Sequence, residues 1–285
     1  MSFPIIELPA AEFPKRLLEI PQPPKELRYR GKMPPKEIKL LSVVGSRKYT
    51  NYGKQVTEDL IQGLAGLPVG VVSGLALGID SLAHEAALRN GLYTLAIPGG
   101  GINDPVIYPA THKPLAHRIL ESGGGLLSEF EPNFKATQWS FPQRNRLVTG
   151  ISHATLLIEA AEKSGTLITA RMAADYNRDL MVVPGSIFSS NSKGVHQFLK
   201  LGAIPVTSSE DIIEHFGLEK TTSNTKLIES LTPIEQLVIK NLREPLHKDE
   251  LARILNLTIT ELNQVLMMME LSGYIKSEQN IYHCI

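Results

Sequence analysis

Four glycine-rich segments carry the residue types that bind phosphate: GSRKYTNYG (45–53) with Gly45, Ser46 and Arg47, SGLALGID (73–80), PGGGI (98–102), and KSGTLITA (163–170) with Ser164, Gly165 and Thr166. Each follows a short apolar run and leads toward a helix-length segment, which places it at the carboxyl end of a strand. At a helix start, unpaired backbone N–H groups and the positive end of the helix dipole favour an anion. For a single loop, tight turns and close helix–sheet packing explain the glycines as well. Four such loops on one sheet edge form an anion-binding shelf. A fifth segment, WSFPQRNRLVTG (139–150), holds Arg144 and Arg146 behind Phe141 and the only tryptophan, Trp139. Guanidinium groups take phosphate through paired hydrogen bonds, and aromatic rings stack on unpaired bases. One reading is contact with a nucleic-acid strand. The competing reading is internal: the aromatics anchor a loop, and the arginines pair with Glu129 and Glu131.

Other chemistries lack their residues. No G-x-G-x-x-G follows the first strand, no acid ends the second to hold a ribose, and no G-x-x-x-x-G-K-[ST] is present. Asp80, Glu129 and Glu159 lie near strand or helix ends, but no pair has a spacing that compels acid–base catalysis. The eight histidines show no metal-ligand spacing, His112 and His117 being five apart. Ser46, Ser73 and Ser164 sit in Gly-rich turns without a G-x-S-x-G elbow. The expectation is anion binding with no cofactor, no metal and no catalysis.

The elements that must position these loops are legible as apolar runs at 40–45, 69–74, 93–100, 126–130, 154–160, 179–185 and 203–206, separated by helical patterns such as Gln55–Ala65 and Asp80–Arg89. Strands apolar on both faces and alternating with helices predict an α/β fold: an extended Rossmann-like, doubly wound, mostly parallel sheet over residues 38–217. Residues 1–37, with eight prolines, read as an extended lead-in with one short helix near Glu12–Ile20. A polar linker is expected over 218–231. Residues 232–285 carry three helical patterns and a terminal strand pair, which suggests a winged helix. From 225 onward there are six Lys or Arg against eight Asp or Glu, and the segment 259–272 has no Lys or Arg. A helix that reads the major groove normally brings cations, so this module is read as a protein-contact or regulatory domain, with Met267, Met268 and Met269 mostly in its core.

Composition sets the outer bounds. The chain has 285 residues with 29 basic and 29 acidic side chains, so neither a polycation nor an acidic solvating protein fits. The single cysteine, Cys284, excludes an intramolecular disulfide framework and points to a reducing compartment. The first residues lack the pattern of a secretory signal, and no stretch approaches the roughly 20 apolar residues of a membrane span. A cytoplasmic protein without a membrane role is expected.

Taken in order, YRGK (29–32), GSR with YG downstream, SGLALGID-x-x-AH, PGGG with YP-x-x-H, SEF-x-P, W-x-FP-x-RNR, SGTLITA and VPG resemble the DNA processing protein A family (DprA, also called Smf) over about Phe13 to Phe216. The C-terminal module resembles that family's winged-helix appendage. The family's usual N-terminal helical domain is expected to be absent or reduced to residues 1–37. The resemblance implies a non-enzymatic, dimeric, single-stranded-DNA-binding protein that protects incoming strands during natural transformation. It also implies loading of the RecA recombinase, displacing or bypassing single-strand-binding protein. The implied DNA contacts are Gly45, Ser46 and Arg47, then Ser164, Gly165 and Thr166, and the loop with Gln138 and Phe141 that enters Arg144, Asn145 and Arg146. Gln138 stands where the family can supply a lysine, and Lys135 is the nearby cation. The rival class on a similar fold is a nucleotide-processing phosphoribohydrolase, which uses PGG-x-GT-x-x-E; PGGGINDPVIYP (98–109) departs from that pattern.

Overall fold

The computed structural model describes residues 3–219, 232–242, 246–272, 274–278 and 281–284. The chain divides into two compact units, Met1–Glu219 and Lys220–Ile285. Most of the expected linker, 220–231, lies outside the described residues.

The first unit is built on a nine-stranded sheet. All seven anticipated strands are present: β3 (Lys39–Val44), β4 (Val69–Ser73), β5 (Tyr93–Ala96), β6 (Gly125–Ser128), β7 (Ala154–Leu157), β8 (Asp179–Val182) and β9 (Ile204–Pro205). They pair in parallel throughout. Along β3, Leu40 and Val44 join the apolar core on one face while Leu41 and Val43 join the other, the two-residue alternation of a sheet covered on both sides. Helices α2 (Asn51–Gln62), α3 (Ile79–Arg89) and α8 (Ser209–His215) cover one face. The other is covered by α5 (Ser140–Ile151), α6 (Thr166–Asp175) and α7 (Lys193–Lys200). Helix α4 (Lys113–Glu121) closes a third apolar cluster beyond β5 and β6.

The lead-in corrects the sequence reading. Residues 1–37 contain β1 (Ile5–Leu8) and β2 (Leu27–Gly31), a pair that adds antiparallel to β6 through Tyr29 opposite Leu127. Between them α1 (Lys15–Leu18) buries Leu17, and Ile20 follows it into the main core. This segment is an integral edge of the sheet.

Sheet order is β1-β2-β6-β5-β4-β3-β7-β8-β9. The chain moves outward from β3 through β4, β5 and β6, then returns to the other side of β3 with β7. That reversal creates a crevice between the carboxyl ends of β3 and β7, the place where open α/β sheets bind ligands.

In the second unit, α9 (Pro233–Asn241), α10 (Lys248–Leu255) and α11 (Ile259–Leu271) pack with a three-stranded antiparallel sheet ordered β10 (Leu246–His247), β12 (Ile281–Cys284), β11 (Ile275–Glu278). Thr232 with Glu235, and Thr258 with Glu261, close capping boxes at the starts of α9 and α11. Val238, Leu251, Leu262, Leu266, Met269 and Ile275 form its core. Met267 and Met268 are instead exposed, so one of the three methionines is core and two face solvent. No helix among the described residues is long and apolar enough to cross a membrane.

Candidate nucleic-acid interface

Parallel pairing brings the loops after β5, β4, β3 and β7 to one edge, as the glycine pattern requires. The two flanking the crevice are joined directly: Thr166 Oγ1 donates to the Gly45 carbonyl at 3.0 Å. Ile79 N donates to the Ser46 carbonyl at 3.2 Å, which fixes the start of α3 against the same loop. Ser46 Oγ accepts from Lys48 N at 3.1 Å and holds the turn. Among the described residues, the backbone N–H groups of Ser46, Arg47 and Gly165 have no internal acceptor.

Most shelf glycines answer to packing. A Cβ on Gly45 would lie 2.6 Å from Ile79 Cγ1 and one on Gly99 2.5 Å from the Phe141 ring. Gly78 has φ +91° and would bring a Cβ to 2.3 Å from the Ser46 carbonyl oxygen, so both conformation and space demand glycine there. Gly165 is different. It is exposed, has φ −59°, and a Cβ would meet no atom within 4 Å. Nothing in the protein itself requires glycine at that position. Ser164 Oγ accepts from Thr166 N at 3.2 Å and donates to Thr166 Oγ1 at 3.0 Å, which forms the turn into α6.

Arg47 is exposed, and its guanidinium lies 5.5 Å from the centre of the Phe141 ring. The electron-rich ring face attracts the cation and orients it without neutralising its charge. Phe141 is half-buried against Tyr108, with ring centres 5.8 Å apart. Trp139 packs edge-on against Phe130 and Phe134 yet remains 57% exposed, so it anchors its loop and still offers a ring face. Gln138 and Lys135 are exposed on the same loop, and Asn145 is half-buried. Lys48 and Lys163, both exposed and adjacent to shelf residues, complete the cationic rim; they stand inside the quoted motifs, but sequence reasoning did not single them out.

Arg144 and Arg146 do not reach this surface, which corrects their expected role as phosphate contacts. Arg144 is 4% exposed and donates to the Ile97 carbonyl, and a Cβ on Gly74 would overlap its guanidinium. Burial lowers its pKa to about 10, with Asp80 opposing the shift. Asp80 accepts from Gly74 N at 3.1 Å; burial raises its pKa and the Arg144 charge opposes that. Arg146 donates to the Glu129 carboxylate and, at 2.6 Å, to the Gln22 carbonyl. Glu131 pairs with Arg28 instead, at 2.8 Å. Two residues apart on α5, Arg144 and Arg146 leave the helix on nearly opposite sides, Arg144 toward the Ile97 carbonyl and Arg146 toward Glu129 and Gln22. Both are buried, and of the internal pairs expected Arg146–Glu129 is the one that forms. Arg144 braces the shelf from beneath, and Arg146 ties α5 to the N-terminal segment at Gln22.

The three carboxylates weighed for catalysis have internal partners. Asp80 and Glu129 serve these arginines, and Glu159, 3% exposed, accepts from Thr50 N at 2.9 Å at the start of α2. A recess of about 490 Å³ lies beside it, bordered by Tyr52, Pro184 and Ser186. The arrangement can hold a chain of phosphates and present ring faces to bases.

Comparison with known proteins shows the family and the fold. The family model for DNA recombination-mediator protein A matches residues 5–217, and that for the DprA winged helix domain matches 223–279. Protein Smf of Escherichia coli is 40% identical over 208 residues, which span 72% of this chain and 55% of that protein. The chain thus spans about half the length of that relative. DNA processing protein DprA of Streptococcus pneumoniae is 38% identical over 215 residues, 75% of each chain. Its X-ray structure superposes with a TM-score of 0.68, covering 75% of this chain and 74% of that one. DNA processing protein A from Helicobacter pylori, whose structure is described in terms of a unique single-stranded DNA binding mode, also gives a TM-score of 0.68. It is 30% identical, with 75% of this chain and 96% of that one covered.

Proposed function

This chain belongs to the DNA recombination-mediator protein A family, and from that premise we propose that it binds single-stranded DNA, shields incoming strands and loads RecA onto them during natural transformation. It acts in the cytoplasm as a homodimer, without catalysis, and takes over strands from single-strand-binding protein. The observation that carries the reading is the crevice between β3 and β7. It is bordered by Ser46, Arg47 and Gly165, whose N–H groups have no internal acceptor among the described residues, and by the exposed, ring-oriented Arg47 cation. Backbone donors grip phosphates whatever the sequence, and Phe141, Trp139 or both contact bases. Gly45 and Thr166 tie the two halves of the crevice together; Ser164 shapes its turn; Gln138 and Asn145 border the aromatic loop. The single-stranded binding mode described for the Helicobacter pylori relative supports the choice of ligand.

One subunit grips a short stretch. Useful affinity then follows from two subunits on one strand, which turns the second contact into an intramolecular event. The winged-helix unit serves as a protein-contact module. The test is the lag in RecA ATPase activity on single strands coated with single-strand-binding protein. The wild-type chain should shorten the lag and Arg47→Ala should not. An unshortened lag with the wild type would refute RecA loading.

A further inference from the structure

The DNA-binding reading gives no role to the most exposed aromatic among the described residues. Phe188 is 92% exposed and Ile187 beside it 73% exposed, at the tip of the turn that follows β8. Large apolar side chains held this far into water are unfavourable unless something covers them. The turn is firmly built. Phe188 N donates to Ser186 Oγ at 3.2 Å, and Ser189 N donates to the Ser186 carbonyl at 3.0 Å.

The same turn is fastened to both sides of the crevice. Asn191 Nδ2 donates to the Lys48 carbonyl at 2.9 Å, in the loop after β3. Ala160 N donates to the Asn191 carbonyl at 2.8 Å, in the loop after β7. Tyr52 Oη donates to the Pro184 carbonyl at 2.6 Å. Because β8 pairs in parallel with β7, this turn is the next one along the carboxyl edge after Ser164–Thr166. Neighbouring strands are about 4.8 Å apart, so the step is short.

Its chemistry matches a polynucleotide. Residues 184–194 contain five serine or asparagine side chains and Lys193, and no Asp or Glu. Lys48 and Lys193 are exposed. A ring set among hydroxyls and cations fits a base with its flanking phosphates. We propose that Phe188 is a base-stacking platform that extends the single-stranded DNA path beyond Ser164–Thr166 and lengthens the stretch each subunit grips. The proposal rests on the crevice being a single-stranded DNA site.

The test uses the full chain with Phe188→Leu, which keeps apolar bulk, and Phe188→Tyr, which keeps the ring. Each is titrated against labelled oligo-dT of graded length. Loss of one stacked base should weaken Phe188→Leu about 5- to 150-fold on the longer oligonucleotides, with its salt dependence unchanged because no charge is lost. Phe188→Tyr should stay within about twofold of wild type, since a phenol ring also stacks. If wild type binds and Phe188→Leu matches it at every length, the platform is overturned while the crevice stands. A change of oligomeric state in Phe188→Leu, with unchanged affinity per site, would overturn it in favour of a self-association surface. If the wild type itself binds no single strand, the crevice reading fails and the platform falls with it.

Discussion

Gly165→Ala separates a glycine kept open for a ligand from one kept open by chance. The residue has φ −59° and ψ −21°, which alanine adopts freely, and a Cβ there would meet no atom within 4 Å. Folding should therefore be unaffected or stabilised by about 0.4–1 kcal/mol through the unfolded chain. A strand whose phosphate sits on the Gly165 N–H, about 2.9 Å from the nitrogen, runs close over the backbone and into the open space where an added methyl group would stand. A hydrogen bond to a charged group contributes about 1.5–3 kcal/mol, so binding should weaken roughly 10- to 150-fold while the melting temperature holds. Fluorescence anisotropy with oligo-dT at fixed salt, beside a thermal melt, measures both. Gly78→Ala supplies the contrast, since its φ of +91° and the 2.3 Å approach to Ser46 predict lost stability along with lost binding. A folded Gly165→Ala that binds as tightly as wild type would refute the reasoning.

Three further outcomes follow from buried and strained groups. Glu129→Gln leaves the Arg146 guanidinium buried without its counter-charge and should destabilise the first unit by about 3–5 kcal/mol; a loss below 1 kcal/mol in urea denaturation would contradict this. His84 is fully buried, and burial first, with His112 and Arg144 adding to it, lowers its pKa from 6.5 to about 3. Between those values the unfolded chain binds a proton that the folded chain does not, so stability is complete above pH 6.5 and falls on acidification by up to about 1.4 kcal/mol per pH unit. His153, lowered to about 4, acts in the same direction. His84→Gln should flatten the acid slope, and an unchanged slope would rule out His84 as its source. Asn256 ends α10 at φ +53°, so Asn256→Ala should cost about 1–2 kcal/mol and Asn256→Gly should be tolerated; equal melting of the two variants would refute strain there.

The sheet was legible because burial on both faces leaves continuous apolar runs, and all seven parallel strands announce themselves this way. β1 and β2 did not. IIEL and LRYRG are short and half-exposed, they stand among prolines, and their place depends on pairing with β6 about a hundred residues away. The four loops were found from their glycines, yet residue type alone does not separate a glycine packed on Ile79 or Arg144 from the open one at 165. The RNR segment misled for a related reason. An arginine serves a buried carboxylate and a phosphate through the same fork, and only the fold shows that Arg144 and Arg146 point inward while Arg47 points out. Phe188 lies in no motif, and its exposure appears only with the turn that holds it.

The most direct test of the central claim is anisotropy of labelled oligo-dT and of a duplex of equal length across a salt series, for wild type and Arg47→Ala. Single strands should be preferred, and each phosphate contact should add about 0.7 to the steepness of the plot of log affinity against log salt. Arg47→Ala should lose about that much slope and bind all sequences more weakly. Equal binding of duplex, or a salt slope unchanged in Arg47→Ala, would contradict the account.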